Sequence, residues 1–556
     1  MNPRIRLLSS ILPLAFLTGC PPLPPELVTC EEADACETTQ PGSTSVGGPP
    51  TTSDGVQTVT GDDADGSDST AAPNDGSGAD TPGTTGEAAE PPLIISRVVM
   101  PDYTDVNALL LASVTADHAD GVRMLLENGE LSELTPLGAG EFEGHIEAFT
   151  GLDNGQYQAI FTPWKDAIVG ASESADYVIA LQNPGSGIDW DVANIEGVVA
   201  AIAILPDGRP VEFLTLQDMG MPRCYLRQRE KNGDAGDFVP VLAGAHCTAI
   251  DMTIDRTTGV IHVLLERKSG DGLKWWAGRM SAWGAGLQNI GIGEVGDTAF
   301  ALASRPGLVA VCGSTPVDAV DTIDERDALV VLLRDGQMPD VRALDYRLPG
   351  DPDGHAFDEN ARDCAFDFPG DTLVLVGEAN GRHDGPQDDK RDRLMLIELD
   401  TAADTGPKWT VAGPGPGLQS RANAVAIDDQ GNYHMAGYTC LNVCEPEGEV
   451  RVYAPGGKLV SQIPLGPLGS AWFGPHDIAW SPAGYAVVAL GAKLGQSLVF
   501  KVQAWESNVF EPKWTFLPID QQGPQRALAV AVGALGEVYA GGISEGNHSV
   551  FAVIGG

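Results

Sequence analysis

The side chains best placed to do chemistry in this sequence are oxygens. Acidic residues collect in three stretches that read as insertions between apolar strands: Asp318, Asp321, Asp324, Glu325 and Asp327 in the first, Asp351, Asp353, Asp358 and Glu359 in the second, and His383, Asp384, Asp388 and Asp389 in the third. Hard cations take several oxygens from a turn, and Asp351-x-Asp353-Gly354 presents such a turn. No cofactor is required by the sequence; calcium is the one these stretches would suit, and the plain alternative is a solvated acidic rim. Either way, Asp324, Asp327, Asp351, Asp353, Asp358, Glu359, His383, Asp384, Asp388 and Asp389 form the candidate binding face, because long loops on a rigid scaffold tend to carry binding residues. Catalytic residues are not indicated. There is no G-x-S-x-G, the histidines are scattered, and no serine, histidine and acid fall at suggestive spacings. Gly291-x-Gly293-x-x-Gly296 leads into a strand rather than a helix, so it reads as a turn and not a phosphate cradle. Trp275, Trp276 and Trp283 read as packing between sheets.

One cysteine points to a different chemistry. Leu17-Thr18-Gly19-Cys20 follows Arg4, Arg6 and an apolar run from Ile11 to Leu17 that is too short to span a bilayer. The pattern resembles the lipobox of bacterial lipoproteins. That resemblance implies a signal peptide over 1–19, a diacylglyceryl group on the Cys20 sulfur and anchoring of the mature chain to a membrane of the cell envelope. With Pro21 in the next position, the outer membrane is expected. Each buried lipid methylene contributes about 0.8 kcal/mol, and two or more chains anchor stably. Eight further cysteines in an exported chain suggest disulfides. Proximity offers Cys30 with Cys36, Cys224 with Cys247, Cys312 with Cys364, and Cys440 with Cys444. None of the spacings is that of a zinc site.

The elements that must position these residues follow from composition and periodicity. The 556 residues hold 33 Lys and Arg against 77 Asp and Glu, a net charge of −44, which repels nucleic acid and anionic lipid. No basic residue lies between Arg6 and Arg97, and residues 20–91 are dominated by Gly, Ser, Thr, Pro and acidic residues. Such a segment cannot offset the entropy of ordering its backbone, so a disordered linker with a reach of about 45 to 50 Å is expected.

Over 92–185, short runs rich in branched residues alternate with turn signals, which suits a β-sandwich. Gly121 to Gly129 followed by Asp153-Asn-Gly-Gln-Tyr157 resembles bacterial immunoglobulin-like domains. Over 186–556 a unit repeats: an apolar strand, a few turn residues, a glycine and a second apolar strand. The turn glycines are Gly208, Gly259, Gly307, Gly370, Gly431, Gly484 and Gly536, spaced by roughly 50 to 60 residues as four-stranded blades would be. Asp428-x-x-Gly431-Asn432-Tyr433 and its flanks resemble the repeats of secreted bacterial β-propellers. The last unit is one strand short, and residues 188–195 are available to supply it. The expected fold is therefore all-β: an immunoglobulin-like sandwich, then a seven-bladed β-propeller, preceded by the linker. The expected function is a membrane-anchored, non-enzymatic binding scaffold whose partner is a protein or glycan of the cell envelope. The rival is a propeller-type lyase or hydrolase with a cation in its central channel. That rival needs polar residues on the first strands of the blades, which read as small and apolar apart from Asp363, His476, Asp477 and the nearby His246.

Overall fold

The computed structural model describes residues 90–556 apart from 103–107, 148–154, 180–186, 243, 271, 318–325, 347–357, 368–370, 381–391, 403–405, 413–418, 441–445, 469–473, 495–496, 507–508, 519–524, 545–547 and 556. Among the described residues the chain is all strand and turn. The linker, Cys20, Cys30 and Cys36 lie outside them, as does Gly370.

Nine strands come first: β1 (Leu93–Pro101), β2 (Ala108–Asp117), β3 (Gly121–Leu125), β4 (Leu131–Glu133), β5 (Thr135–Gly138), β6 (Glu141–Glu147), β7 (Gly155–Lys165), β8 (Ile168–Val169) and β9 (Glu173–Ile179). They form two antiparallel sheets, β1-β2-β6-β5 and β4-β3-β7, with β8 and β9 both paired to β7. Side chains alternate across a strand, so Leu110, Ala112, Val114 and Ala116 of β2 all turn to one side, where they share a core with Val122, Met124, Phe161 and Tyr177 of the other sheet. Leu535, far along the chain, packs against this core.

The remaining strands fall into groups: β10 (Gly187–Ile204), β11 (Pro210–Asp218), β12 (Met221–Arg229) and β13 (Ala235–Pro240); β14 (Cys247–Ile254), β15 (Ile261–Ser269), β16 (Gly272–Met280) and β17 (Gln288–Ile292); β18 (Thr298–Arg305), β19 (Leu308–Pro316), β20 (Arg326–Arg334) and β21 (Asp340–Leu344); β22 (Asp358–Phe366), β23 (Thr372–Asn380), β24 (Asp392–Asp400) and β25 (Lys408–Ala412); β26 (Gln419–Ile427), β27 (Tyr433–Cys440), β28 (Pro446–Ala454) and β29 (Lys458–Pro467); β30 (Pro475–Ser481), β31 (Tyr485–Leu494), β32 (Ser497–Trp505) and β33 (Trp514–Phe516); and finally β34 (Arg526–Val532), β35 (Val538–Ile543) and β36 (His548–Ile554). Within each group the strands pair in chain order. The last group takes its fourth strand from the first half of β10, where Trp190 pairs with Ala552 and Val192 with Val550; the second half, from Gly197 to Ile204, pairs with β11. One strand thereby joins the two ends of the array, and the first strands of successive groups pack side by side until β34 returns to β10. The arrangement is propeller-like.

Its stability comes from the layers between neighbouring groups. Each interface holds an apolar cluster, and the last of them joins Val199, Ile202 and Leu214 to Ala529, Tyr539 and Phe551. The strands β19 and β20 are buried on both faces, which is why Leu308 to Gly313 and Ala328 to Leu333 read as unbroken apolar or small runs. Two disulfides cross such interfaces, Cys224 on β12 to Cys247 on β14 and Cys312 on β19 to Cys364 on β22. A closed loop of this kind typically contributes about 2 to 4 kcal/mol. The turn glycines Gly208, Gly259, Gly307, Gly431, Gly484 and Gly536 all take φ between 70° and 84°, a conformation that L side chains avoid. In the best-formed repeat, the Asp428 carboxylate accepts hydrogen bonds from the backbone N–H groups of Gln430 and Asn432 and from the Asn432 amide, and it pairs with His434. The Tyr433 hydroxyl donates to Glu398 of the preceding group. The repeat signature is thus a turn lock and an inter-sheet tie.

Candidate functional site

Every first strand of the ring carries a bulge at the same place, after Val199, Ala249, Ala299, Ala361, Ala422, Pro475 and Ala527. A bulge leaves backbone groups unpaired. In alternate groups the residue after the bulge is an aspartate: Asp251, Asp363 and Asp477. Each carboxylate accepts the N–H of the following residue, from Met252, Cys364 and Ile478. Its second oxygen accepts an N–H from the next group, from Leu302 at 2.6 Å, Val425 at 2.7 Å and Val530 at 2.8 Å. The corresponding residues in those receiving groups are Ala301, Ala424 and Ala529. Burial pushes Asp251 up to about 6 and Asp477 up to about 7, in both cases against the pull of two backbone N–H bonds. Asp363 is raised well above the carboxylate range by burial first and then by the charge of Asp251. Asp251 escaped the sequence reading, although Ala249-x-Asp251 repeats the spacing of Ala361-x-Asp363.

At one rim of the ring, where β20 starts, β21 ends and β22 starts, a second acidic group forms. Asp327 is the second residue of β20, Asp345 follows β21 directly and Glu359 is the second residue of β22. One oxygen from each lies within 4.8 Å of the other two. Glu359 is 0 % exposed, and Asp327 and Asp345 are half-buried. Asp358 is turned to accept the backbone N–H of Arg326 at 3.0 Å. Burial first, then the charges of Asp327, Asp345 and Asp358, push Glu359 up to about 10. The expected loop positions of Asp327, Asp358 and Glu359 are therefore corrected: the ladders of β20 and β22 extend further into the insertions than hydropathy implies, and Glu359 is buried opposite Ala379. Asp324, Asp351, Asp353, His383, Asp384, Asp388 and Asp389 lie outside the described residues, and so does Cys444, the expected partner of Cys440. Asp345 was not foreseen; it belongs to no acidic run.

A third buried carboxylate lies beside the second. Glu378 on β23 receives Arg362 at 2.6 Å and Arg421 at 2.9 Å. Burial alone would raise it, but the two guanidinium groups bring it below its ordinary value. The Arg362 guanidinium also lies 4.2 Å from the centre of the Phe300 ring. Trp275 and Trp276 are buried between sheets.

No protein-family model and no curated protein matches the chain. Three solved structures are similar in part. A protein of unknown function from Dyadobacter fermentans has 10 % identity and a TM-score of 0.39, over 67 % of this chain and 99 % of that one. The Pan2 WD40 domain of Neurospora crassa has 10 % identity and a TM-score of 0.38, over 67 % and 97 %. An alpha-L-arabinanase of Penicillium chrysogenum, complexed with arabinobiose, has 11 % identity and a TM-score of 0.36, over 53 % and 90 %.

Proposed function

We propose that this protein is a lipid-anchored component of the bacterial cell envelope, held at Cys20, in which the 20–91 linker carries an immunoglobulin-like domain (92–185) and a seven-bladed β-propeller (186–556) that serves as a non-enzymatic interaction scaffold. The strand orders β1-β2-β6-β5 and β4-β3-β7-β9 support the immunoglobulin-like reading, since they follow the order of its two sheets. The closure of the array through β10 supports the seven blades.

One observation favours a scaffold over an enzyme. Five ionisable groups of the innermost strands are committed to the framework: Asp251, Asp363 and Asp477 each bridge two backbone N–H groups, and Arg362 and Arg421 are tied to Glu378. Turnover needs an acid, base or nucleophile within hydrogen-bond reach of a substrate. The candidate binding face at Asp351, Asp353, Asp388 and Asp389 is then the place for a protein or glycan partner. The test uses the full chain as bait in its own envelope extract, beside a variant with those four residues changed to Asn. Capture of one defined component by the wild type and its loss from the variant is the expected result. Equal capture by both, or hydrolysis or elimination on an envelope polysaccharide, overturns the reading. Palmitate labelling that persists in Cys20→Ser overturns the anchor.

A further inference from the structure

Glu359 has an electrostatic problem that the described residues around it do not solve. Its side chain is fully buried, its Oε1 accepts the backbone N–H of Tyr346 at 3.3 Å, and its Oε2 has no hydrogen-bond partner among the described residues. A buried carboxylate is costly unless it is paired. The Glu359 carboxyl faces company of its own sign, since Asp327 and Asp345 each bring a carboxylate oxygen within 4.8 Å of one of its oxygens. The basic residue next in sequence to Asp327 is directed elsewhere: the Arg326 guanidinium donates to the Ser314 hydroxyl, the Gly296 carbonyl and the Thr298 hydroxyl.

We propose that Asp327, Asp345 and Glu359 together bind one calcium ion, which clips the β18–β21 sheet to the β22–β25 sheet at the rim of the ring. Three negative oxygen donors suit a hard cation. Two oxygens on one calcium ion, each at about 2.3 to 2.6 Å, are at most about 5 Å apart, whereas the shorter bonds of magnesium, about 2.0 to 2.1 Å, demand a tighter cluster. Water supplies the remaining positions. The site is a joint as well as a ligand set: two of its residues belong to one sheet and the third to the next, and these two sheets are also joined by Cys312–Cys364. The inference goes beyond the scaffold reading and does not depend on it.

The experiment is calorimetric titration of the full chain, stripped with chelator, with calcium chloride and separately with magnesium chloride, alongside thermal melts in each. The expected result is one calcium site with a dissociation constant of about 10⁻⁴ to 10⁻³ M, the range of extracellular modules, with weaker or no magnesium binding. Calcium is expected to raise the melting temperature, because it binds the folded state alone. Glu359→Gln is expected to abolish the titration and the shift. Asp345→Asn, an isosteric change just past the end of β21, is expected to weaken binding about tenfold or more. The absence of calcium binding by the wild type, equal binding of magnesium, or undiminished calcium binding by a folded Glu359→Gln overturns the proposal. If Glu359→Gln does not fold, unchanged affinity in Asp345→Asn overturns it instead. The pull-down described above changes other residues and reads capture of a partner rather than of an ion, so the two readings fail separately.

Discussion

Glu359 and Glu378 lie one rung apart in the ladder between β22 and β23, where Glu359 faces Ala379 and Asn360 faces Glu378. Both are buried, at 0 % and 4 % exposure. Their charges are held in opposite ways. Glu378 sits between Arg362 and Arg421 and stays ionised below its ordinary pKa; Glu359 sits among carboxylates and is pushed up to about 10. The three aspartates of the inner strands are bonded to neutral amides rather than to cations, and burial raises all three. Burial taxes all of these groups, and the partner decides the outcome.

The largest expected effect tests the compensated side of that comparison. Glu378→Gln keeps the shape but removes the charge between two buried arginines, leaving them uncompensated. Breaking a buried pair in this way costs about 3 to 5 kcal/mol, to be read from denaturant unfolding of the full chain. A cost below about 1 kcal/mol would mean that the arginines are satisfied elsewhere, and the contrast with Glu359 would lose one of its halves.

The inner aspartates give a smaller effect with a pH signature. The groups acting on Asp477 are the N–H donors of Ile478 and Val530 and the charge of Asp251, with His476 beside it in sequence. Its folded pKa, about 7, is raised above the ordinary carboxylate value, so the folded state binds the proton more tightly than the unfolded chain does. This contribution to stability is fully present below about pH 4 and is lost as the pH rises through about 7. Asp477→Asn removes one of two N–H acceptors and is expected to cost about 1 to 3 kcal/mol near pH 5. The deficit should narrow by pH 8, because only the wild type loses stability across that window. A deficit that widens toward pH 8 would show that the ionised carboxylate is favoured in the folded ring, as it is at Glu378.

The sequence carried the local features of this fold and hid the non-local ones. Turn glycines at φ near 80° and the need for a closing strand at 188–195 are properties of short segments, and both were readable. The strand β22 was harder. Asp358-Glu-Asn-Ala-Arg-Asp363 is polar in five of six positions and reads as loop, yet pairing with the apolar β23 holds it in the sheet. The acidic rim was visible as Asp327, Asp358 and Glu359, but the approach of Asp345 to Glu359 is set by how two sheets pack, which no spacing encodes. The alternation of alanine and aspartate around the ring was encoded, and was obscured because most residues around Asp251 are small or apolar.

The sharpest test makes one chemical change on two neighbouring strands. In chelator, Glu359→Gln keeps the Oε1 acceptor for the Tyr346 N–H and places an amide donor where a carboxylate oxygen had met Asp327 and Asp345. Raised to about 10, the Glu359 carboxyl is neutral near pH 7 and the Gln amide keeps a donor in its place, so this variant is expected to match the wild type to within about 1 kcal/mol in denaturant unfolding. The same Glu-to-Gln change would then lower stability at 378 and spare it at 359, although both side chains are buried to a similar degree. If Glu359→Gln in chelator instead costs as much as Glu378→Gln, a cation belonging to the protein already compensates Glu359. The distinction between a carboxylate with its partner built in and one awaiting an ion would then disappear.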